Sequence, residues 1–125
     1  MPRGDELILI AEDNTQLRQT AVQHLSSLGY RVLEAENGEA ALDALKRSGP
    51  IDLLFSDIVM NGRLTGYDLM REARRSHPDL PVLLCTGYAE KAAGNGHGDL
   101  HMLHKPYRKR DLALKIRSIL DRTGG

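Results

Sequence analysis

Short apolar runs alternate with amphipathic segments along the whole chain. Five runs have the length and composition of strands, and they lie at residues 7–11, 32–35, 53–57, 80–85 and 100–103. The first, third and fourth are almost continuously apolar, which indicates burial on both faces, as in a parallel sheet covered by helices. The fifth run is the weakest of these strand predictions.

The segments between these runs carry apolar residues three or four positions apart, which predicts helices. The first helix begins after Asn14 and ends at Gly29, and its predicted inner face consists of Leu17, Ala21, Val22, Leu25 and Leu28. The second begins at Asn37, the third ends before His77, and the last runs through residues 112–120. Asn14, Asn37 and Gly29 are residues that favour helix ends.

The helix predicted after the fourth strand is expected to be short or irregular. Residues 89–93 favour a helix, but Gly94, Gly96 and Gly98 follow closely. Each glycine costs about 1 kcal/mol relative to alanine in a helix interior.

Alternation of five strands with five helices predicts an α/β protein with a doubly wound (βα)5 flavodoxin-like fold. The expected strand order in the parallel sheet is 2-1-3-4-5. In such a sheet, ligands bind at the carboxyl ends of the strands, where the strand order reverses between the first and third strands.

Composition narrows the classes of protein that the chain can represent. Its 125 residues are 41% hydrophobic, which suits one domain, residues 1–125, with no output domain. Lys+Arg and Asp+Glu both number 17, so no bulk charge favours direct binding to nucleic acid or contact with a membrane. The single Cys85 excludes an internal disulfide, and the first residues do not resemble a signal peptide. A cytoplasmic location is therefore expected.

Polar residues follow four of the predicted strands. Glu12 and Asp13 come after the first strand, Asp57 ends the third, Thr86 ends the fourth and Lys105 follows the fifth. The predicted strand order places all of them along one edge of the sheet. Asp13 alone is equally suited to capping the next helix, but its neighbour Glu12 favours a role in a site.

Three clustered carboxylates should attract a hard cation. An open pocket with few protein ligands favours Mg²⁺ over Ca²⁺, because Mg²⁺ usually keeps water molecules and joins carboxylates to a phosphate. Aspartate is a chemically competent phosphoryl acceptor, which makes Asp57 the candidate. Lys105 could then hold phosphate oxygens as a point charge, and the Thr86 hydroxyl could donate a hydrogen bond to them.

These five residues, each at a strand end in this order, resemble the receiver domain of two-component response regulators. Residues 53–60 and 86–90 are most similar to receivers attached to hybrid histidine kinases. The resemblance implies phosphorelay signalling, in which Asp57 takes a phosphoryl group from a histidine kinase or a histidine phosphotransfer protein. It also implies Mg²⁺ bound by Asp13, Asp57 and the main-chain carbonyl of Val59, with Glu12 acting through water.

The same resemblance implies a cis peptide bond between Lys105 and Pro106, a downstream protein partner of unknown identity, and a signalling domain in place of an enzyme. The only reactions of such a domain would be self-phosphorylation from phosphohistidine and autodephosphorylation. The chain could be a stand-alone regulator or part of a hybrid histidine kinase.

Two positions depart from the family pattern. Met102 stands where most receivers have tyrosine or phenylalanine, and Asn61 stands in place of a usual proline. A pseudo-receiver that binds proteins independently of phosphorylation is therefore the alternative. A flavin or nucleotide site is disfavoured, because no glycine-rich phosphate loop follows the first strand.

Overall fold

The computed structural model of the chain describes residues 1–87 and 100–123. Its strands are β1 Leu7–Ala11, β2 Arg31–Ala35, β3 Leu53–Asp57, β4 Val82–Thr86 and β5 His101–His104. Its helices are α1 Thr15–Ser27, α2 Gly38–Arg47, α3 Gly66–Ser76 and α4 Lys109–Thr123. The short, irregular helix expected after β4 falls on residues that lie outside this description.

The strands form one five-stranded sheet in the order β2-β1-β3-β4-β5, and each neighbouring pair is parallel. This confirms the predicted fold class and strand order. Because β1 and β3 are neighbours, with Ala11 paired to Ser56, the residues that follow these two strands meet at one edge.

Apolar side chains cover both faces of the sheet and form two core clusters. One cluster joins the sheet to α1 and α4 through buried residues such as Leu25, Leu112 and Ile116. The other joins the opposite face to α2 and α3 through residues such as Leu45 and Leu69. Burial on both faces explains why β1, β3 and β4 are apolar at successive positions.

The helix ends are stabilised by the residues that the sequence marks for this role. Asn14 caps α1 by accepting a hydrogen bond from the Leu17 N–H at 2.9 Å, and Asn37 caps α2. Gly29 has a positive φ of 99°, which glycine adopts without strain after a helix. Since Asn14 is the cap of α1, the side chain of Asp13 is available to the edge of the sheet.

Several predicted strand boundaries were wrong by one or two residues, including the starts of β2 and β5, which lie at Arg31 and His101. β4 begins at Val82 and not at Leu80, because Pro81 has no N–H to donate to a ladder. β5 extends one residue further than predicted, to His104. The Lys105 N–H then donates to the Thr86 oxygen at 2.8 Å, which continues the pairing of β4 and β5.

Leu17 was expected on the inner face of α1, but it is 47% exposed. It lies in the first turn of the helix, shortly after the chain leaves the carboxyl end of β1. The other predicted inner-face residues lie nearer the C-terminal end of α1, where the sheet can cover them.

None of the helices within residues 1–87 and 100–123 combines the length and apolar character required to cross a bilayer.

Candidate functional site

Three carboxylates meet at the carboxyl ends of β1 and β3. Glu12 and Asp13 directly follow β1, and Asp57 is the last residue of β3. Each of the three offers an oxygen that lies within 4.8 Å of the others. Neighbouring strands therefore bring together acids that are more than 40 residues apart in the sequence.

Lys105 completes this cluster from the end of β5. Its Nζ lies 3.1 Å from Asp57 Oδ2 and 3.7 Å from Glu12 Oε1. The peptide bond between Lys105 and Pro106 is cis, as the resemblance implied. Burial opposes the charged amine, but the hydrogen bond and charge of Asp57 outweigh it and raise the pKa of Lys105.

Asp57 is held on both of its oxygens. Oδ1 accepts a hydrogen bond from the Ile58 N–H at 3.0 Å, while Oδ2 faces Lys105. Burial raises the pKa of this carboxyl, and the nearby Lys105 only partly offsets that effect. A nearly buried carboxylate without full charge compensation is well suited to engaging a positively charged group.

Asp13 interacts with the loop that follows β3. Its Oδ2 accepts a hydrogen bond from the Asn61 N–H at 2.9 Å. Burial acts to raise the pKa of Asp13, but this hydrogen bond and one from Glu12 lower it overall. Asp13 is therefore the carboxylate of the cluster that ionises most readily.

Glu12 is the most perturbed member of the cluster. Burial, together with the charge of Asp57, raises the pKa of Glu12 to about 7. The Asn14 N–H donates to its Oε2 at 3.1 Å, which favours the ionised form but does not offset burial. Near neutral pH, the cluster therefore carries a carboxyl that is easily protonated.

The raised pKa of Glu12 predicts that the metal-free protein loses stability as the pH rises. The folded chain keeps a proton on Glu12 up to about pH 7, whereas the unfolded chain releases it near the ordinary glutamate pKa of 4.5. Ionisation therefore costs more in the folded state, and we expect a loss of roughly 2 kcal/mol between about pH 5 and about pH 8. Urea unfolding in EDTA measures this loss.

Glu12→Gln should remove most of that pH dependence. Asp57 should contribute the remainder, a loss of stability with rising pH, because its pKa is also raised. The exposed Glu36 provides the control, and Glu36→Gln should keep the full dependence. An equal slope in both variants would contradict the assignment to Glu12.

Thr86 and Val59 flank the cluster on neighbouring segments. Thr86, the last residue of β4, is fully buried, and its hydroxyl donates to the Gly87 oxygen at 3.2 Å. Val59 lies two residues after Asp57 and is 57% exposed. Both residues border the edge where the sequence places them, and their contacts with a phosphoryl group or a metal remain predictions.

Two supporting residues were not anticipated from the sequence. Arg18 Nη1 donates to the Glu12 main-chain oxygen at 2.8 Å and so ties α1 to the site. Tyr107 packs edge-on against Phe55, with ring centroids 6.0 Å apart. Phe55 lies in β3, two residues before Asp57. The available signals were the position of Arg18 one turn after Asn14 and the aromatic residue that follows Lys105 and Pro106.

Cys85 is buried in β4, beside the acidic cluster. Burial raises the pKa of the thiol to about 12. Because the thiolate is the reactive form, we expect alkylation by iodoacetamide at pH 8 to be at least about 100-fold slower in the folded protein than in urea. A folded-state rate within tenfold of the unfolded rate would show that the fold does not suppress the reactivity of the thiol.

An aspartate at the switch point of a doubly wound sheet, with two further acids and a lysine beside it, is the arrangement expected of a receiver domain. Residues 8–117 match the family model described as the response regulator receiver domain. The chain belongs to this family and is a receiver domain of two-component signalling.

Similar proteins support this assignment. The chain is 36% identical to the response regulator receiver protein CpdR of Brucella abortus (strain 2308), over 90% of this chain and 95% of that protein. It is also 36% identical to the sensor kinase CckA of the same organism, over 95% of this chain but only 13% of the kinase. The solved receiver domain of the hybrid histidine kinase CckA superposes with a TM-score of 0.74 at 35% identity, covering 91% of this chain and 98% of that one.

Proposed function

We propose that Asp57 is the residue that accepts the phosphoryl group. The observation that carries the proposal is the position of its carboxylate, 3.1 Å from Lys105 Nζ and within the cluster of Glu12 and Asp13. In the transfer, a carboxylate oxygen of Asp57 bonds to phosphorus as the phosphorus–nitrogen bond of a phosphohistidine breaks. The electron pair of that bond returns to the imidazole nitrogen.

Lys105 and Thr86 would bind the phosphoryl oxygens. The Lys105 ammonium already engages Asp57 Oδ2, so it needs only to exchange that oxygen for a neighbouring phosphoryl oxygen. Thr86 ends β4 beside Asp57 and would release the Gly87 oxygen in order to donate its hydroxyl hydrogen to the phosphoryl group.

The site suits Mg²⁺ because it gathers three hard oxygen donors and contains a carboxyl, Glu12, whose ionisation is suppressed by burial and by the charge of Asp57. We propose that Asp13, Asp57 and the main-chain carbonyl of Val59 would hold the ion, with Glu12 acting through water. When bound, Mg²⁺ neutralises the negative charge that otherwise opposes the approach of a phosphate.

In the signalling pathway, the donor would be a histidine kinase or a histidine phosphotransfer protein, and residues 1–125 would act as one signalling domain toward a downstream protein. CpdR matches over almost its whole length, whereas CckA is much longer, so the two relatives represent both arrangements open to this domain. The intact acidic cluster favours a phosphorylated receiver over a phosphorylation-independent module.

Phosphorylation can be tested with acetyl phosphate as the donor. We expect a mass gain of one phosphoryl group with Mg²⁺, none in EDTA, and loss of the added mass in hydroxylamine, as for an acyl phosphate. Peptide mapping should place the modification at Asp57. No mass gain with Mg²⁺, or a gain at another residue, would refute the proposal.

A further inference from the structure

The main chain of Glu12 is held at both of its hydrogen-bonding groups. Its N–H donates to the Ala35 oxygen at the end of β2, at 3.0 Å. Its carbonyl oxygen accepts a hydrogen bond from Arg18 Nη1 at 2.8 Å. Because Glu12 is the first residue after β1, these two bonds extend the order of the sheet into the turn that carries the two acids.

The carbonyl that Arg18 contacts belongs to the peptide unit that links Glu12 to Asp13. This unit is planar, so a tilt of the carbonyl changes the last backbone torsion of Glu12 and the first of Asp13 together. Both carboxylates would then move within a cluster whose oxygens lie within 4.8 Å of one another. The single hydrogen bond from Arg18 therefore constrains the relative position of the two acids.

Arg18 is itself held in place by a residue of β2. Its Nε donates to Glu34 Oε1 at 3.1 Å, and Gln19 Nε2 donates to the same oxygen at 2.9 Å. The Arg18 side chain is only 14% exposed, although it lies in the first turns of α1. The planar guanidinium has its donors in a fixed arrangement, so it can engage Glu34 and the Glu12 oxygen at the same time.

The contact between Arg18 and the acidic cluster depends on direction more than on charge. Arg18 forms its ion pair with Glu34, whereas Lys105 forms the ion pairs with the acids of the cluster. What Arg18 reaches in the cluster is a neutral main-chain oxygen. A different cation at this position would keep the charge but would lose the paired arrangement of donors.

We propose that Arg18 is a positioning residue of the acceptor site, which sets the direction of the peptide unit between Glu12 and Asp13 and so presents both carboxylates to a divalent cation. This role rests on the proposed function, because it concerns the Mg²⁺ site described there. Residues that orient metal ligands without touching the metal commonly change its affinity roughly 10- to 100-fold when they are replaced.

The affinity for Mg²⁺ tests this role, measured by NMR titration of the full chain under conditions in which every variant is folded. Arg18→Ala should weaken Mg²⁺ binding roughly 10-fold. Arg18→Lys should remain at least about 5-fold weaker than wild type, because one ammonium group cannot reproduce the guanidinium geometry.

Gln19→Ala is the matched control for the titration. Gln19 is the next residue on α1 and donates to the same Glu34 oxygen as Arg18. Within residues 1–87 and 100–123, however, it has no hydrogen bond to Glu12. This variant should bind Mg²⁺ as wild type does.

A second measurement reports the position of a carboxylate without any metal. The Asn61 N–H donates to Asp13 Oδ2 from the loop after β3. In EDTA, amide exchange of this N–H should be about 5-fold faster or more in Arg18→Ala than in wild type, because the acceptor is displaced. The Leu54 N–H in the core of the sheet should change less. A general loss of stability would accelerate both amides.

Equal Mg²⁺ affinity of Arg18→Ala and wild type would exclude a positioning role for Arg18. Full recovery of the affinity in Arg18→Lys would assign the effect to charge and would also exclude it, as would unchanged exchange of the Asn61 N–H. If the wild-type protein itself shows no saturable Mg²⁺ binding, the metal site of the proposed function is refuted, and this role of Arg18 is refuted with it. The failure of the role and the failure of the site are thus told apart by the wild-type titration.

Discussion

Asp57→Asn is expected to abolish uptake of a phosphoryl group from acetyl phosphate in the presence of Mg²⁺. Asparagine has nearly the same shape, but its neutral amide has no nucleophilic oxygen of comparable strength and provides one negative charge fewer for a metal. Intact-protein mass spectrometry after incubation with the donor measures the change. We expect no detectable modified fraction under conditions that modify most of the wild-type protein.

The matched control for this experiment is Asp43→Asn. Asp43 is exposed on α2 and pairs with Arg47 on the same helix, at 3.1 Å. This variant should be modified as fully as wild type. Modification of Asp57→Asn to the same extent would show that another residue is the acceptor.

The Asp57→Asn substitution should not destabilise the protein in EDTA. The raised pKa of Asp57 shows that its charge is unfavourable in the folded state, because burial and the neighbouring acids outweigh the pairing with Lys105. Replacement by a neutral residue removes this cost, which is a common trade of stability for function. A thermal melt of both proteins compares them directly, and a clearly lower melting temperature for Asp57→Asn would show that the carboxylate is mainly structural.

Gly66→Ala is expected to destabilise the fold by about 2–3 kcal/mol, as overpacking of a tight contact does. A Cβ at Gly66 would collide with the main-chain oxygen of Asp57 and lie 2.8 Å from the Ile58 Cα. Backbone atoms cannot move aside as a flexible side chain can. In addition, the Gly66 N–H donates to the Ile58 oxygen at 2.7 Å, so the start of α3 and the end of β3 would have to separate.

Gly49→Ala is the control, because a Cβ at Gly49 would have no atom within 4 Å. We expect its free energy of unfolding to change by no more than about 0.5 kcal/mol. Urea denaturation of the two variants and wild type measures the difference. Equal stability of both variants would mean that the contact between α3 and Asp57 relaxes without cost.

Gly66→Ala should also slow phosphoryl uptake, because it displaces the segment that orients Asp57. The Ile58 N–H donates a hydrogen bond to Asp57 Oδ1, and the Ile58 main-chain oxygen accepts one from the Gly66 N–H. An uptake rate equal to that of wild type in the folded variant would show that this contact supports stability alone.

The order of the elements could be predicted from the sequence, because it depends on local patterns. The buried runs of β1 and β3, and the caps Asn14 and Asn37, each reflect a preference that acts within a few residues. Parallel pairing rules then determined the strand order, and with it the meeting of Glu12, Asp13 and Asp57. The exact ends of β4 and β5 were predicted less well, because they depend on pairing with neighbouring strands.

The energetic character of the site could not be predicted from the sequence. The pKa of Glu12 near 7 arises from burial and from the charge of Asp57, both of which require the folded arrangement. The folded structure also decides which residue caps α1. Asn14 accepts from the Leu17 N–H at the start of the helix, whereas Asp13 accepts from the Asn61 N–H in the loop after β3.

Residue types and their order along the chain were sufficient to predict the fold and the acids of the site. A cavity beside α1, lined in part by Phe55 and Tyr107, and the exposure of Leu17 were decided only by the tertiary structure. The physical reason is that hydrophobic periodicity identifies which side of a helix faces the protein but not how closely the opposing surface approaches it. That distance depends on the side chains of Phe55 and Tyr107, which are far from α1 in the sequence.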